Sequence, residues 1–198
     1  IATNLIFLKG KSLGEFVEVY RHWRDNTNET WEPLAANDLN VYVTARLWWD
    51  SSQSVDSLID DYCANFYGPA ASQMKAFIAF CEGKWPTLRA SYTDLCAMFD
   101  LLDAARSAAD SSGIYSQRVG MVTTYVQRLV PLRDSMAPKY VARNGQTPVF
   151  PYLSWATAAS NIQDAIDASH EAVAGEEDVT IWVGGGRYTV PPDAVDYM

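Results

Sequence analysis

Two adjacent carboxylates, Asp60 and Asp61, form the residue pair in this sequence that is closest to an acid–base catalytic site. Acid–base hydrolysis needs two positioned carboxyl groups whose environments keep one protonated and the other ionised. Neighbouring residues on an α-helix point about 100° apart, and the helix that carries this pair needs a polar face in any case. We therefore interpret both residues as part of a solvated face and predict no catalytic residue in the chain.

Tryptophan is concentrated near the N-terminus, where four of the seven fall within 27 residues: Trp23, Trp31, Trp48 and Trp49. Their flat faces, with that of Tyr42, could stack on sugar rings, but tryptophan is also the largest core residue. Helical spacing favours a core position for Trp48. Trp31 lies in a predicted loop, which makes it the best candidate for a ligand contact.

Acidic residues flank these aromatic side chains and could reach the same ligand. The candidate ligand-binding residues are therefore Trp31, Glu32, Trp49 and Asp50. The alternative interpretation of the two acids is that they are helix caps or loop charges.

Histidine and cysteine are too few and too scattered for metal or nucleophilic chemistry. The histidines are His22 and His170, and neither lies near a GxSxG turn. The cysteines, Cys63, Cys81 and Cys96, lack the CxxC spacing of zinc sites. We predict three buried free thiols, with a disulfide or a reactive thiol as the alternative, and neither a metal site nor a cofactor.

Two short runs near the C-terminus have plain interpretations. Gly184–Gly186 lacks the GK[ST] of a phosphate-binding loop, so we predict a turn. The acidic run Glu176–Asp178 could bind Ca²⁺, but no EF-hand spacing follows it, and a solvated turn is the preferred interpretation.

The charge balance excludes several classes of partner. The chain has 15 basic and 24 acidic residues among 198, a formal charge of -9. Nucleic-acid affinity comes mainly from clustered Lys and Arg, so DNA and RNA are not expected partners. The longest apolar runs are far shorter than the roughly 20 residues of a membrane span, so we expect no membrane insertion.

Hydrophobic periodicity predicts a helical bundle over residues 12–137. Apolar residues recur at helical spacing in six successive segments, beginning with a helix at 12–25 and one at 39–49 that should be buried on most sides. The clearest stripe is Val55, Leu58, Ile59, Tyr62, Cys63 and Phe66, which Gly68 and Pro69 end. Short loops favour antiparallel neighbours, so we predict a mainly α fold, an antiparallel bundle of five or six helices.

The pattern changes at Pro138, which suggests two domains, 1–137 and 138–198. The second segment contains an extended stretch at 139–142, a short helix from Ile162, a strand at 179–183 and a second strand at 187–190. A single helix with a few short strands has a thin core. We predict a small α+β appendage on the bundle.

Two stretches resemble known families. Asn37–Asp50, with the order Leu47-Trp48-Trp49-Asp50, followed by Val55–Tyr62 and Phe66–Ala71, is similar to a bacterial family related to α-glucuronidases. In that family the pattern opens the helical region that follows a catalytic barrel. The resemblance covers residues 30–85 and implies that the catalytic carboxylates would lie on a barrel upstream of Ile1.

The second stretch, Tyr140–Ala168 followed by Val179–Tyr188, is similar to the opening of pectate-lyase-like parallel β-helices. In such modules an amphipathic helix caps the end of the solenoid and the following strand begins its first coil. The resemblance implies that residues 138–198 are the cap and first coil of a longer module.

The resemblances, with the lack of a convincing acid–base pair, imply a non-catalytic accessory or structural domain of a glycoside-hydrolase-like multidomain protein. Its expected partners are its own upstream catalytic barrel and a polysaccharide or oligosaccharide. The alternatives are a carbohydrate-binding module that uses the tryptophan cluster, and an interaction module that forms a homodimer. The family resemblance implies that the longer protein is secreted or periplasmic.

Overall fold

The structure is a computed structural model that describes residues 22–24, 29–31, 37–109, 113–169 and 178–188. The first described elements are two antiparallel strands, β1 (His22–Arg24) and β2 (Glu29–Trp31), whose backbone register pairs position 24 with position 29. The predicted helix at 12–25 is therefore wrong at residues 22–24, which form β1. The polar run between the strands is typical of a turn, and aromatic and β-branched residues favour strands. Residues 12–21 lie outside the described part.

Helices make up most of the described chain. They are α1 (Asp38–Trp49), α2 (Val55–Tyr67), α3 (Ala71–Lys84), α4 (Tyr92–Ala108), α5 (Ile114–Val126), α6 (Val130–Met136) and α7 (Ile162–Asp167). Short 3-10 turns occupy Gly68–Ala70, Leu88–Ala90, Gln127–Leu129 and Trp155–Thr157. The predicted mainly helical fold with a small α+β element near the C-terminus is confirmed.

Helix α2 forms because local signals agree along its whole length. The Ser54 hydroxyl accepts a hydrogen bond from the Ser57 N–H at its start. The helix ends at Gly68, whose φ of 51° is accessible to glycine without strain. The predicted stripe supplies the buried residues Leu58, Tyr62 and Cys63, and Tyr67, which lies off the stripe, is buried as well.

Helix α1 departs from the prediction, since only Thr44 and Leu47 along it are buried. These two residues are three positions apart and so lie on one face of the helix. Val41, Trp48 and Trp49 are exposed. The apolar residues that surround this helix predicted burial on most sides, but the helix packs against α2 with only one of its faces.

The later helices follow their predicted stripes. Buried residues include Met74 and Phe77 on α3, Leu102 on α4, and Val119 and Val122 on α5. Trp85 follows α3 and is exposed, because α3 ends at Lys84 and the helical period does not continue past it. Pro131 lies in the first turn of α6, where proline fits best.

The contacts between residues divide the chain into two compact units. Unit 1 comprises Ile1–Gly83 and Ala97–Gln127, and unit 2 comprises Lys84–Cys96 and Arg128–Met198. Unit 1 contains β1, β2, α1, α2 and α5. The division of the chain into domains at Pro138 stays a prediction.

Unit 2 contains a two-stranded parallel sheet, β3 (Lys139–Val141) and β4 (Ile181–Val183), in which Tyr140 faces Trp182. Val141 also forms a parallel bridge to Ala159 and packs in a small core with Ala165 of α7. The extended stretch predicted at 139–142 and the strand predicted at 179–183 are confirmed at residues 139–141 and 181–183. The predicted strand at 187–190 is wrong at residues 187 and 188, which are irregular, and its other residues lie outside the described part.

Candidate functional site

The predicted ligand-binding residues that the structure describes lie in two places. Trp49 is the last residue of α1 and is 92% exposed. Asp50 follows it, and its Oδ1 accepts hydrogen bonds from the Ser52 N–H at 2.9 Å and from the Ser52 hydroxyl at 2.7 Å. Trp31, which was predicted to lie in a loop, is instead the last residue of β2. Glu32 lies outside the described residues.

Trp48 precedes Trp49 and is 44% exposed, so its predicted core position is wrong. The helix turns each residue about 100° from the one before it, so the two indoles leave α1 in different directions. We call Trp48 and Trp49 the exposed tryptophan pair. Together with Asp50 they place two indoles and a carboxylate at the C-terminal end of one helix.

A polar cluster joins α1 to α2 one helical turn before the exposed tryptophan pair. The Tyr42 hydroxyl donates a hydrogen bond to Asp61 Oδ2, and Arg46 Nη1 donates to Tyr42 Oη at 2.6 Å and to Asp61 Oδ2 at 3.0 Å. Arg46 Nη2 also donates to Gln53 Oε1 at 3.0 Å. The cluster thus ties the two helices and the loop between them. We refer to Tyr42, Arg46 and Asp61 as the Tyr–Arg–Asp cluster.

The loop between the helices is held by the same side chains. The Gln53 amide donates to the carbonyl oxygens of Arg46, at 2.8 Å, and Asp50, at 3.0 Å. Both carbonyls lie in the last turn of α1 or just beyond it, and that of Arg46 also accepts the backbone N–H of Asp50 at 3.0 Å. The position of Trp49 and Asp50 is therefore fixed by contacts within α1 and its loop.

The electrostatics of the cluster favour an ionised carboxylate. The hydrogen bond from Tyr42 and the nearby guanidinium of Arg46 hold the pKa of Asp61 below its usual value. The same hydrogen bond to Asp61 raises the pKa of the Tyr42 phenol. A general acid needs the opposite, a carboxyl whose pKa is raised so that it keeps its proton near neutral pH. The arrangement of Asp61 suits a structural ion pair.

Asp60, its neighbour, points to a different helix. Its carboxylate pairs with Lys75 of α3 and raises the pKa of that ammonium group. The two carboxylates thus pair with separate partners, one on α1 and the other on α3. They belong to the polar face of the helix, and their contacts join it to α1 and α3.

An aromatic group underlies the Tyr–Arg–Asp cluster. The Tyr62 ring lies 5.4 Å from that of Tyr42 and 5.0 Å from that of Phe66, measured between centroids. The guanidinium of Arg118 lies 4.4 Å above the Phe66 ring and donates to the Phe66 carbonyl oxygen at 2.9 Å. Burial raises the pKa of Tyr67 to about 12 and also raises that of Tyr62. These phenols are neutral packing residues at physiological pH.

The cysteines lie on helices and have no disulfide partner. Cys63 is buried as predicted, whereas the predicted full burial of Cys81 and Cys96 is wrong, since both are only partly buried. Burial raises the pKa of Cys63 and of Cys81 to about 11, so few of these thiols are ionised at neutral pH. In the described ranges, no group of three or more His, Cys, Asp and Glu side chains is placed to hold a metal ion.

Sequence reasoning missed the Tyr–Arg–Asp cluster. The i, i+4 spacing of Tyr42 and Arg46 was a signal that these two side chains meet on one face of α1. The third member, Asp61, lies on another helix. Its contact with α1 depends on how the two helices pack, which the sequence does not give.

Comparison with known proteins finds one family similarity. Residues 15–79 match a family model described as a domain of unknown function, DUF4838. The matched segment spans 65 of the 198 residues and includes α1, α2 and the exposed tryptophan pair. No curated protein and no solved structure matches the chain. In the described part, no helix combines the length and the apolar character needed to cross a membrane.

Proposed function

We propose that the chain is a non-catalytic accessory domain of a carbohydrate-active, glycoside-hydrolase-like multidomain protein. The observation that carries this proposal is that both carboxylates of the Asp60–Asp61 pair are engaged in contacts with neighbouring helices. Asp60 and Asp61 both form ion pairs between helices, and the pKa of Asp61 is lowered. Side chains with these contacts stabilise a helical support, and catalytic carboxylates would have to come from elsewhere in the longer protein.

The resemblance of residues 30–85 to a helical region that follows a catalytic barrel supports the same proposal. The match at 15–79 overlaps this segment, although its family has no known function. By the same resemblance, we propose an upstream barrel as the partner of this domain and a secreted or periplasmic location. The similarity of residues 138–198 to the start of a β-helix adds a second module to the proposed architecture.

A hydrolysis assay tests the non-catalytic role. The purified chain should hydrolyse 4-nitrophenyl glycosides and glucuronides no faster than buffer alone. Turnover that disappears in Asp60→Asn, Asp61→Asn or Glu32→Gln would overturn the proposal. Turnover that survives all three changes would point to a contaminating enzyme, which mass spectrometry of the preparation would identify.

An immunoblot of source-cell and secreted fractions tests the multidomain architecture. An antibody against residues 12–137 should detect a band several times larger than 22 kDa. A native band near 22 kDa would contradict the proposed upstream barrel. It would favour the alternative that the chain acts alone in ligand binding or homodimer formation.

The second candidate function is carbohydrate binding by the exposed tryptophan pair. The observation that favours it is the 92% exposure of Trp49, since an indole face left in solvent is suited to stacking on a sugar ring. Oligosaccharides should then quench or blue-shift tryptophan fluorescence. The response should disappear in Trp49→Ala and persist in Trp85→Ala, which removes another exposed indole outside the pair. Trp31→Ala tests the remaining described member of the predicted site.

A further inference from the structure

An aromatic surface covers one face of the small parallel sheet in unit 2. Parallel register places Tyr140 of β3 opposite Trp182 of β4, so both side chains project from the same face. The ring of Trp155 lies 5.0 Å from that of Tyr140, edge to face. Trp155 is 49% exposed and Trp182 is 53% exposed. We call Tyr140, Trp155 and Trp182 the aromatic face.

A strip of glycines continues β4 beside this face. A Cβ atom built on Gly184 would lie 3.5 Å from the Trp155 ring, so the backbone there runs directly along the indole. Gly185 has open space where a side chain would be. A Cβ atom on Gly186 would lie 3.6 Å from Cδ of Arg143. These three glycines therefore form a stretch of bare backbone between the indole of Trp155 and the side chain of Arg143.

Two positive charges lie at the far end of the strip. Lys139, Arg143 and Arg187 are the basic residues of the last 61 positions, against eight acidic ones. The ammonium group of Lys139 is buried, whereas Arg143 and Arg187 are exposed. Among the described residues, neither guanidinium has an ion-pair partner. In a chain with a net charge of -9, two arginines that have no ion-pair partner among the described residues thus lie next to exposed aromatic side chains.

We infer that the aromatic face, with Arg143 and Arg187, binds an anionic saccharide. Indole faces stack on the apolar face of a sugar ring, and guanidinium groups form charge-assisted, bidentate hydrogen bonds to an acidic substituent. The glycine strip lets a flat ring approach the backbone. This inference rests on the proposed carbohydrate-active function and adds a ligand class and a site separate from the exposed tryptophan pair.

Isothermal titration calorimetry on the full chain tests the inference. The ligands are an alginate trisaccharide with carboxylates, a sulfated galactan oligosaccharide, neutral cellotriose and a dT trinucleotide. At least one acidic saccharide should bind at least about tenfold more tightly than cellotriose, since only it can pair with the arginines. That binding should weaken as NaCl rises from about 0.05 to about 0.5 M, because salt screens exposed charges.

Matched variants localise the site. Arg143→Gln and Trp182→Ala should each reduce the affinity for the acidic saccharide by at least about fivefold. Arg89→Gln and Trp85→Ala remove an exposed arginine and an exposed tryptophan elsewhere and should leave the affinity unchanged. Circular dichroism of every variant confirms that it is folded, and Arg187→Gln provides a second charge variant.

Several results would overturn the inference. They are no binding of either acidic saccharide, equal binding of cellotriose or of the dT trinucleotide, and unchanged affinity in Arg143→Gln and Trp182→Ala. Failure here does not affect the proposed accessory role, which the hydrolysis assay tests. Binding that depended on Trp49 and not on Trp182 would favour the exposed tryptophan pair and contradict the site inferred here.

Discussion

Replacing Lys139 with methionine should lower the free energy of unfolding more than the same replacement of an exposed lysine. The Lys139 side chain is fully buried, and its Nζ donates to the carbonyl oxygens of Asp134 at 2.7 Å, Ser135 at 2.9 Å and Ala137 at 2.6 Å. The carbonyls of Asp134 and Ser135 lack the backbone donors that a continued helix would supply. The donor for Asp134 would be Pro138, which has no N–H. The donor for Ser135 would be the backbone N–H of Lys139, which instead bonds to the carbonyl oxygen of Thr180.

The size of the effect follows from these contacts. A buried carbonyl left without a donor costs about 1–3 kcal/mol, so three of them cost about 3–9 kcal/mol. Methionine also removes a buried charge. Burial lowers the pKa of Lys139 from 10.5 to about 8, which corresponds to a penalty of about 3 kcal/mol that the variant recovers. The net loss for Lys139→Met should therefore lie between about 0 and 6 kcal/mol, with a central value of about 3 kcal/mol.

Urea unfolding followed by circular dichroism measures this loss, with Lys75→Met as the matched control. Lys75 is a partly exposed lysine in a single ion pair, so its removal should cost much less. A loss for Lys139→Met no greater than that of the control would refute the idea that the ammonium group replaces missing helix donors.

The pH dependence gives an independent test of the same residue. Because the folded pKa of Lys139 is about 8 and the unfolded value is near 10.5, the unfolded state binds more protons between these values. Stability that depends on Lys139 therefore rises with pH through this window and is constant below it. The stability difference between wild type and Lys139→Met should grow by about 2–3 kcal/mol from pH 7 to pH 10. A difference that stays flat would show that burial does not lower this pKa.

Three further predictions concern unit 1. Gly68→Ala should destabilise the fold by about 1–3 kcal/mol, because φ at Gly68 is 51° and a Cβ atom there would lie 2.6 Å from the Tyr115 ring. Gly83 lies in a helix with open space around it, so Gly83→Ala should stabilise the fold by about 0.5–1 kcal/mol. Equal effects of the two changes in urea unfolding would contradict this. Phe77→Ala should cost about 3–5 kcal/mol, and a loss below about 1 kcal/mol would mean that this face of α3 is not core. The Cys63 thiol, with its pKa raised to about 11, should react with iodoacetamide at pH 8 far more slowly than after unfolding, and equal rates would contradict its burial.

Local signals in the sequence were sufficient for α2. A capping serine, an apolar stripe of helical period and a Gly68-Pro69 stop lie within 16 residues, and each acts through its own neighbours. The same reasoning failed for β1, where the spacing of aromatic residues matched a helix. Pairing with β2 decides the structure there, and a period read along a single segment carries no information about a partner strand.

Burial could not be predicted for α1 because it depends on the surroundings of the helix. An apolar residue is buried only where another element covers it, and the element that covers Leu47 leaves Trp48 exposed.

The aromatic face could not be predicted from the sequence either, because it also depends on tertiary packing. Tyr140, Trp155 and Trp182 are far apart in sequence, and only the parallel register of β3 and β4 and the course of the intervening chain bring them together.

The parallel pairing of β3 with β4 has a consequence for the order of folding. Lys139 pairs with Ile181, 42 positions further along the chain, so the pair forms only after a long loop has closed. The contacts between α1 and α2 join residues that are close in sequence and can form first. In pulse-labelling hydrogen exchange during refolding, the amides of α2 should be protected before the Lys139 amide, which bonds to Thr180. A nascent chain would likewise hold β3 unpaired until residues 181–183 had been synthesised.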